Sequence, residues 1–257
     1  MKIGIQISSV RKYLENEQGV LKSFRKFSDI GYRYAQVQWI SPTVSPEFIY
    51  AALLVTSLKC VGTQDYYDEV MPNISNIISM NELWGGGNIC VSRTPDRFHS
   101  LDGCKQLAVE INKAIKLTED RGISFSFHPI WSDYMIIDGK PLIEILIEMV
   151  SDTMQIVLDV YHANKAGYNP VDLIKKWSGK IDFIHFKDMK IRDDGTEELT
   201  PVGQGLTDWD GIIKACVEAN VEYCFAEQER WHKDPFECLE ESYVYIRDRQ
   251  ILGIRQF

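Results

Sequence analysis

The chain lacks several features that would narrow its function at once. Its six cysteines form no CxxC pair, and their mostly apolar surroundings predict reduced thiols in the core of a cytoplasmic protein. No apolar run approaches the length of a membrane span, and the start, MKIGIQISSV, shows neither a signal-peptide core nor a small-residue cleavage site. We therefore expect a soluble cytoplasmic protein with no membrane partner.

Positive charge is also scarce. Lysine and arginine together number 28 against 37 aspartates and glutamates, which gives a formal net charge of -9. Such a chain repels a phosphate backbone, so we expect no nucleic-acid partner. Small neutral or cationic ligands remain open, as do anions held by a local site.

A glycine-rich phosphate turn is missing after the first predicted strand, because SSVRKYLENE contains no glycine. This argues against a doubly wound open sheet, the alternative arrangement for alternating strands and helices. Strands are predicted at Lys2 to Ile7, Tyr34 to Trp39, Lys59 to Thr63, Ile89 to Ser92, Ser124 to His128, Gln155 to Asp159, Asp182 to Phe186 and Glu222 to Glu227.

Segments with helical periodicity lie between these strands, and several carry start or stop signals such as Ser45 before Pro46. The predicted helices are Val20 to Ile30, Pro46 to Ser57, Ser75 to Leu83, Leu101 to Arg121, Pro141 to Val150, Pro170 to Trp177, Asp208 to Ala219 and Asp234 to Arg249. No linker or low-complexity tract divides the chain. The pattern therefore predicts an α/β protein with one (β/α)8 TIM-barrel domain over residues 1–257.

In such a barrel, chemistry collects where the strands end, at their carboxyl ends. Polar residues follow the last four predicted strands: His128 and Asp133 in FHPIWSDY, Asp159 and His162 in LDVYH, His185 and Lys187 in IHFKDMK, and Glu227 and Glu229 in AEQERWH. The same spacing of 26 residues separates Asp133 from Asp159 and Asp159 from His185. A polar segment from Ile191 to Gly205, predicted to be a long loop, accounts for the wider step to Glu227.

Three carboxylates and one imidazole form an oxygen-rich donor set that suits Mn²⁺, Mg²⁺ or Co²⁺. Without a cation, three acids in a pocket of low dielectric constant would repel one another and take up protons. Any one of these residues alone would more simply cap a helix or sit at the surface, as expected for His99 and His232. Four residues in phase favour a metal site.

Four segments carry a resemblance to a known family: LDVYHANKAG, IHFKDMK, VGQGLTDWDGIIKA and VEYCFAEQERWHKDPFECLEESYVYI. They resemble the sugar phosphate isomerase/epimerase family, the xylose-isomerase-like TIM barrels that include ketose 3-epimerases and inosose dehydratases. MKIGIQISSVR and GYRYAQVQWI are similar to that family's first two strands, so the resemblance covers nearly the whole chain.

The resemblance implies one divalent metal, Mn²⁺ first with Mg²⁺, Co²⁺ and Zn²⁺ as alternatives, held by Asp133, Asp159, His185 and Glu227. The family's strand-five ligand is usually glutamate, in a tract that reads like YHNHDHEF. Asp133 is one methylene shorter, and Pro129 and Ile130 replace the polar centre of the tract. Either the loop comes closer, a water intervenes, or His128 contributes instead.

The resemblance also implies a reaction through an enediolate that the metal stabilises. Glu227 and Asp133 are the expected catalytic pair, one removing a proton and the other returning it on the opposite face in an epimerase. His128, His162 and Lys187 are expected to contact substrate, although His162 suits a supporting role equally well and a salt bridge of Lys187 to Asp188 or another carboxylate is favoured.

Aromatic residues near the predicted mouth, above all Trp39 and Trp131, suit the flat face of a sugar ring, and they suit helix packing equally well. No basic cluster follows strands seven and eight, although Arg93 and Arg97 after strand four are candidates for binding a phosphate. The family resemblance therefore does not by itself imply a phosphorylated substrate.

Three classes of function remain after these steps. The first is a metal-dependent sugar isomerase or epimerase, the second a lyase or dehydratase acting on a keto-sugar, inosose or 3-keto-glycoside, and the third a catalytically silent sugar-binding barrel. Barrel endonucleases share the fold, but they need more histidine than the five present here and a basic face. The expected partner is a small carbohydrate, and a homo-oligomer or a partner subunit stays open.

Overall fold

A computed structural model describes residues 1–254 and contains a closed barrel of parallel strands. The barrel strands are β1 (Lys2–Gln6), β2 (Tyr34–Val37), β3 (Lys59–Tyr66), β4 (Asn88–Ser92), β5 (Ser124–His128), β6 (Gln155–Asp159), β7 (Ile181–Phe186) and β8 (Tyr223–Ala226). Each strand pairs with the next along the chain, and β8 pairs with β1 to close the ring. The predicted (β/α)8 TIM barrel is confirmed.

Each barrel strand is followed by a main helix that packs on its outside. These are α1 (Glu17–Ile30), α2 (Pro46–Thr56), α3 (Ile74–Trp84), α4 (Leu101–Glu119), α5 (Leu142–Met149), α6 (Pro170–Lys176), α7 (Trp209–Glu218) and α8 (Pro235–Ile254). Side-chain caps fix several starts, as where the Asn16 side chain accepts a hydrogen bond from the Gly19 N–H. Within residues 1–254, no helix has the length and apolar character needed to cross a membrane.

Aromatic side chains fill part of the barrel interior, and polar side chains lie at the carboxyl ends of the strands. The rings of Phe183 and Phe225 lie 5.1 Å apart, and Gly4 makes room for them, since a Cβ there would come within 2.6 Å of the Phe225 ring. Two residues beyond Phe183 on β7, the inward-facing position is His185, which contacts a buried glutamine. The apolar packing therefore supports a polar layer at the carboxyl ends of the strands.

The segment between β7 and α7 differs from the predicted loop. Asp188–Ile191 pairs with Glu197–Thr200 in an antiparallel hairpin, where the sequence predicted an irregular loop from Ile191 to Gly205. The turn residues at the hairpin tip are consistent with this pairing, but the strands are short and half of their residues are charged, so the alternation of apolar residues is weak.

Asp188 ties the end of this hairpin segment to α7. One carboxylate oxygen, Oδ2, accepts hydrogen bonds from the backbone N–H groups of Gly203 at 2.9 Å and Gly205 at 3.0 Å, and from Trp209 Nε1 at 2.7 Å. Asp188 is therefore a structural residue that orders the return of the chain to the barrel.

Candidate metal centre

Four buried side chains converge at the carboxyl ends of consecutive strands. His128 and Asp159 are the last residues of β5 and β6, His185 lies on β7, and Glu227 directly follows β8. Each offers one ligand atom, and these four atoms all lie within 4.8 Å of one another. We call these residues the ligand cluster.

The facing atoms of the cluster have no hydrogen-bond partner although they are buried: His128 Nε2, Asp159 Oδ2, His185 Nδ1 and Glu227 Oε2. His185 Nδ1 and Glu227 Oε2 are 2.8 Å apart, but not in hydrogen-bonding geometry, and His128 Nε2 and Asp159 Oδ2 are 3.6 Å apart. A buried polar atom left unpaired costs about 1–3 kcal/mol. Two nitrogen and two oxygen donors left in this state fit a divalent cation.

The opposite atoms of the same side chains are held by neighbours. His185 Nε2 donates to Gln36 Oε1 at 2.6 Å, and this amide oxygen also accepts from Gln6 Nε2 at 3.0 Å. Because Nε2 therefore carries the proton, the lone pair of His185 Nδ1 faces the cluster. Such a bond on the far side of a ligating histidine fixes its tautomer and its orientation.

His128 and Asp159 are oriented in the same way. His128 Nδ1 lies 3.1 Å from Ser92 Oγ on the neighbouring strand, which leaves Nε2 to face the cluster. Asp159 Oδ1 accepts the His162 backbone N–H at 2.9 Å, which caps the short helix Val160–Lys165. Its Oδ2 therefore remains free to face the cluster.

Burial and neighbouring charges place the cluster in the protonation state that binds metal. Burial lowers the pKa of His185, so its imidazole is neutral near pH 7. Burial opposes ionisation of Asp159, but His162 and Lys187 hold the pKa of Asp159 well below its ordinary value. Burial acts likewise on Glu227, and Lys187 and His185 outweigh it to lower the pKa of Glu227 to about 2. Asp159 and Glu227 are therefore ionised and His185 is neutral at neutral pH, the states in which these groups bind a metal ion.

Lys187 lies beside the cluster with its ammonium group buried. Lys187 Nζ is 3.8 Å from both Asp159 Oδ2 and Glu227 Oε1, and 2.6 Å from Glu229 Oε1. Burial alone would lower the pKa of Lys187, but these carboxylates raise it above its ordinary value. The expected salt bridge is present, and its partner is Glu229 instead of Asp188.

The structure does not bring Asp133 into the ligand cluster, contrary to the prediction from strand phase. Its Oδ1 accepts the Thr94 backbone N–H at 2.9 Å and its Oδ2 accepts the Ile130 backbone N–H at 2.8 Å. The short side chain thus closes the turn Trp131–Tyr134 on itself, and Asp133 is not among the four residues whose ligand atoms converge. His128 takes the strand-five position, one of the alternatives that the sequence left open.

Replacing Asp133 by alanine is expected to destabilise the fold more than it weakens cation binding. Two buried N–H groups would lose their acceptor, at about 1–3 kcal/mol each. Urea unfolding and Mn²⁺ titration of Asp133→Ala and His128→Ala check this together. If Asp133→Ala unfolds like the unchanged protein and loses Mn²⁺ as fully as His128→Ala, Asp133 is a ligand after all.

The residues expected to contact substrate surround the cluster. His162 Nε2 lies 3.9 Å from Asp159 Oδ2, and the Trp131 backbone N–H donates to His162 Nδ1 at 3.4 Å. Burial lowers the pKa of His162 to about 4, so it is neutral at pH 7. The Trp131 side chain is 50% exposed at the end of β5, where a ligand can reach it.

Trp39 lies on the other side of the barrel mouth, just beyond β2. It adopts a φ of 55°, which is uncommon for a bulky residue, and its Nε1 donates to Asp65 Oδ1 at 3.0 Å. The Arg11 guanidinium lies 4.6 Å from the Trp39 ring. These contacts hold the ring in place at the mouth.

The two arginines considered for phosphate binding are partly engaged elsewhere. Arg97 pairs with Asp68 through its two terminal guanidinium nitrogens, Nη1 and Nη2. Arg93 Nη2 is 3.7 Å from Asp96 Oδ1, and its side chain is half exposed.

Sequence reasoning missed the residues that support the ligands. Gln36 and Ser92 hold the two histidines; Gln36 lies within β2 and Ser92 is the last residue of β4, and neither was assigned a role from the sequence. The alternation in YAQVQW, with glutamines at every second position, is the available signal, because alternate residues of a barrel strand face the interior.

The structure is a TIM barrel, a closed (β/α)8 barrel, with a candidate metal-binding site of two imidazoles and two carboxylates at the carboxyl ends of its strands. The sequence model of one family, described as the xylose isomerase-like TIM barrel, matches residues 80–244, which is more than half of the chain. The chain belongs to this family.

Individual curated relatives match this chain at low sequence identity. An inosose dehydratase from Clostridium beijerinckii is 27% identical over 165 residues, which cover 56% of this chain and 54% of that protein. The match thus spans about half the length of this curated relative.

Solved structures with the same fold cover nearly the whole chain. A sugar phosphate isomerase/epimerase from Parabacteroides distasonis has a TM-score of 0.78 at 18% identity, covering 95% of this chain and 94% of that one. The 3-keto-D-glucoside 4-epimerase from E. coli has a TM-score of 0.69 at 18% identity, covering 96% and 99%. At these identities the likeness shows the fold.

Proposed function

We propose that this protein is a divalent-metal-dependent isomerase or epimerase that acts on a sugar or keto-sugar by removing a proton from the carbon next to a carbonyl. The observation that carries the proposal is the convergence of four buried, unpartnered donor atoms at the catalytic end of the barrel. The family, whose relatives include sugar epimerases and inosose dehydratases, supports the substrate class.

A bound divalent cation supplies Lewis-acid stabilisation of the negative charge that develops beside the carbonyl. Asp159, His185, His128 and Glu227 Oε2 would hold it, while Glu227 Oε1 lies on the far side of that carboxylate, towards Lys187. We assign the proton-accepting role to Glu227 Oε1. Both oxygens of Asp133 accept backbone N–H groups of its own turn region, so we assign the second acid of an epimerase to no residue and propose isomerisation and epimerisation alike.

Mn²⁺ is the proposed ion, and the cytoplasm the proposed compartment. The predicted donor set had one imidazole, and the observed set has two, because His128 stands in place of Asp133. Two nitrogen ligands disfavour Mg²⁺, which prefers oxygen ligands, and are compatible with Mn²⁺, Co²⁺ and Zn²⁺. A homo-oligomer or a partner subunit remains part of the proposal only as an open alternative.

A dehydratase acting on an inosose or related keto-sugar is the second candidate. The matched curated relative is an inosose dehydratase, and β-elimination needs the same first step, removal of a proton beside a carbonyl. In the second step of the elimination, the hydroxyl group on the next carbon is protonated and leaves as water, whereas an epimerase returns the proton to the first carbon from its opposite face.

A screen of ketoses, inososes and 3-keto-glycosides in deuterated water tests the proposal, with the protein loaded with Mn²⁺. Nuclear magnetic resonance is expected to show deuterium entering one carbon of a rearranged sugar product. Loss of water with appearance of an unsaturated product would favour the dehydratase. Binding of these compounds with neither exchange nor elimination would instead favour the silent sugar-binding barrel.

A further inference from the structure

We infer that Lys187 donates a hydrogen bond to the substrate oxygen that becomes negative when the neighbouring carbon loses its proton, and that Glu229 holds Lys187 in position for this role. The inference rests on the proposed function and adds a catalytic residue to it.

The hydrogen bonds of Lys187 leave it free to act on a ligand. An ammonium group has three N–H donors, and one is used on Glu229 Oε1 at 2.6 Å. The 3.8 Å distances to Asp159 Oδ2 and Glu227 Oε1 are too long for hydrogen bonds. Two donors are therefore left over within a site whose other walls are the ligand cluster.

The surroundings of Lys187 also fix its direction. Its Nζ lies 5.3 Å from the centre of the Tyr161 ring, and Tyr161 is itself anchored by Glu197 Oε2, 2.8 Å from the Tyr161 hydroxyl. The side chain of Lys187 is 4% exposed, whereas that of Glu229 is 31% exposed. The Lys187 ammonium group is therefore held on the Glu229 carboxylate, the more exposed of the two side chains.

The burial of Lys187 strengthens the proposed contact. Its side chain is 4% exposed, and the negative charge that develops on a substrate oxygen would meet this ammonium group in a buried setting, where such an interaction is strongest.

The probe is acetohydroxamate. Its anion carries oxygens on two adjacent atoms and so resembles a deprotonated hydroxy ketone. Its binding to protein loaded with Mn²⁺ is measured by calorimetry, after Mn²⁺ affinity has been measured for each variant. Lys187→Met, which keeps the length of the side chain without its charge, is expected to weaken hydroxamate binding by about 10- to 100-fold, the value of a hydrogen bond to a charged group. Lys190→Met, a lysine paired with Glu198 on the hairpin, is the matched control and is expected to change nothing.

Glu229→Gln is the second variant and tests the positioning role. It is expected to weaken hydroxamate binding several-fold at unchanged Mn²⁺ affinity and to lower kcat with little change in KM, and Glu229→Asp is expected to restore part of the loss. If Glu229 only stabilised the fold, Glu229→Gln would not lower hydroxamate affinity and kcat while leaving Mn²⁺ affinity and KM unchanged.

Hydroxamate affinity within twofold of the unchanged protein in Lys187→Met would overturn the inference. Loss of Mn²⁺ from Lys187→Met would overturn it too, because Lys187 would then serve to hold the ligand carboxylates. The hydroxamate measurement needs no turnover, so a protein that converts no sugar would refute the proposed function while leaving this result to be judged on its own.

Discussion

Replacing His185 by alanine is expected to abolish high-affinity cation binding. The change removes one of four converging donors and leaves a cavity beside the carboxylates of Asp159 and Glu227, which would then face each other with less compensation. Losing a residue that merely supports a ligand costs about 10–100-fold in metal affinity, so losing the ligand is expected to cost more. Elemental analysis of purified protein and titration with Mn²⁺ measure the effect.

A graded series separates a ligand from a residue that only stabilises the fold. Gln36→Leu removes the acceptor of the His185 Nε2 proton and is expected to weaken binding by about 10–100-fold. His232→Ala is the matched control, since His232 is 37% exposed and pairs with Glu198 outside the cluster, and it is expected to bind like the unchanged protein. Full occupancy in His185→Ala would refute the metal assignment.

The fold could be predicted almost entirely from the sequence. Apolar runs of strand length alternate with segments of helical period, and the capping signals at Ser45 and Pro46 do mark the start of α2. The hairpin Asp188–Thr200 was missed because its short strands are stabilised by ties to Tyr161 and Lys165, which are distant in sequence. Local pattern carries no signal for such contacts.

The candidate site was predicted less completely. The positions of Asp159, His185 and Glu227 relative to their strands correctly predicted that the three side chains converge. Each lies at or next to a strand end, where the pairing register of the barrel fixes its position. The equal spacing that supported Asp133 was misleading, since Asp133 lies in a turn beyond β5 whose backbone N–H groups compete for its carboxylate. Spacing along the chain predicts position in a strand, but not in a turn whose shape depends on its own hydrogen bonds.

Replacing Glu227 by glutamine is expected to lower turnover by about a hundredfold or more, the contribution of a positioned base. The amide keeps the shape of the side chain and an oxygen donor, while it removes the basicity of Oε1 and one negative charge opposite Lys187. Substrate is therefore expected to bind with similar affinity and to react slowly. Rates of product formation and of deuterium uptake from solvent are measured at full Mn²⁺ occupancy, with Glu198→Gln, an acid of the hairpin paired with Arg192, as the control.

Separating the base from the ligand requires the occupancy measurement in the same samples. Glu227 belongs to the cluster through Oε2, so slow turnover in a Glu227→Gln sample that lacks Mn²⁺ would show only that a ligand was lost. Turnover is expected to stay slow after a higher Mn²⁺ concentration has restored full occupancy. Glu227→Asp retracts the carboxylate by one methylene and is expected to recover part of the rate, because a displaced base still accepts a proton. A Glu227→Gln protein that is loaded with Mn²⁺ and turns over at the unchanged rate would limit Glu227 to metal binding and place the base on another residue.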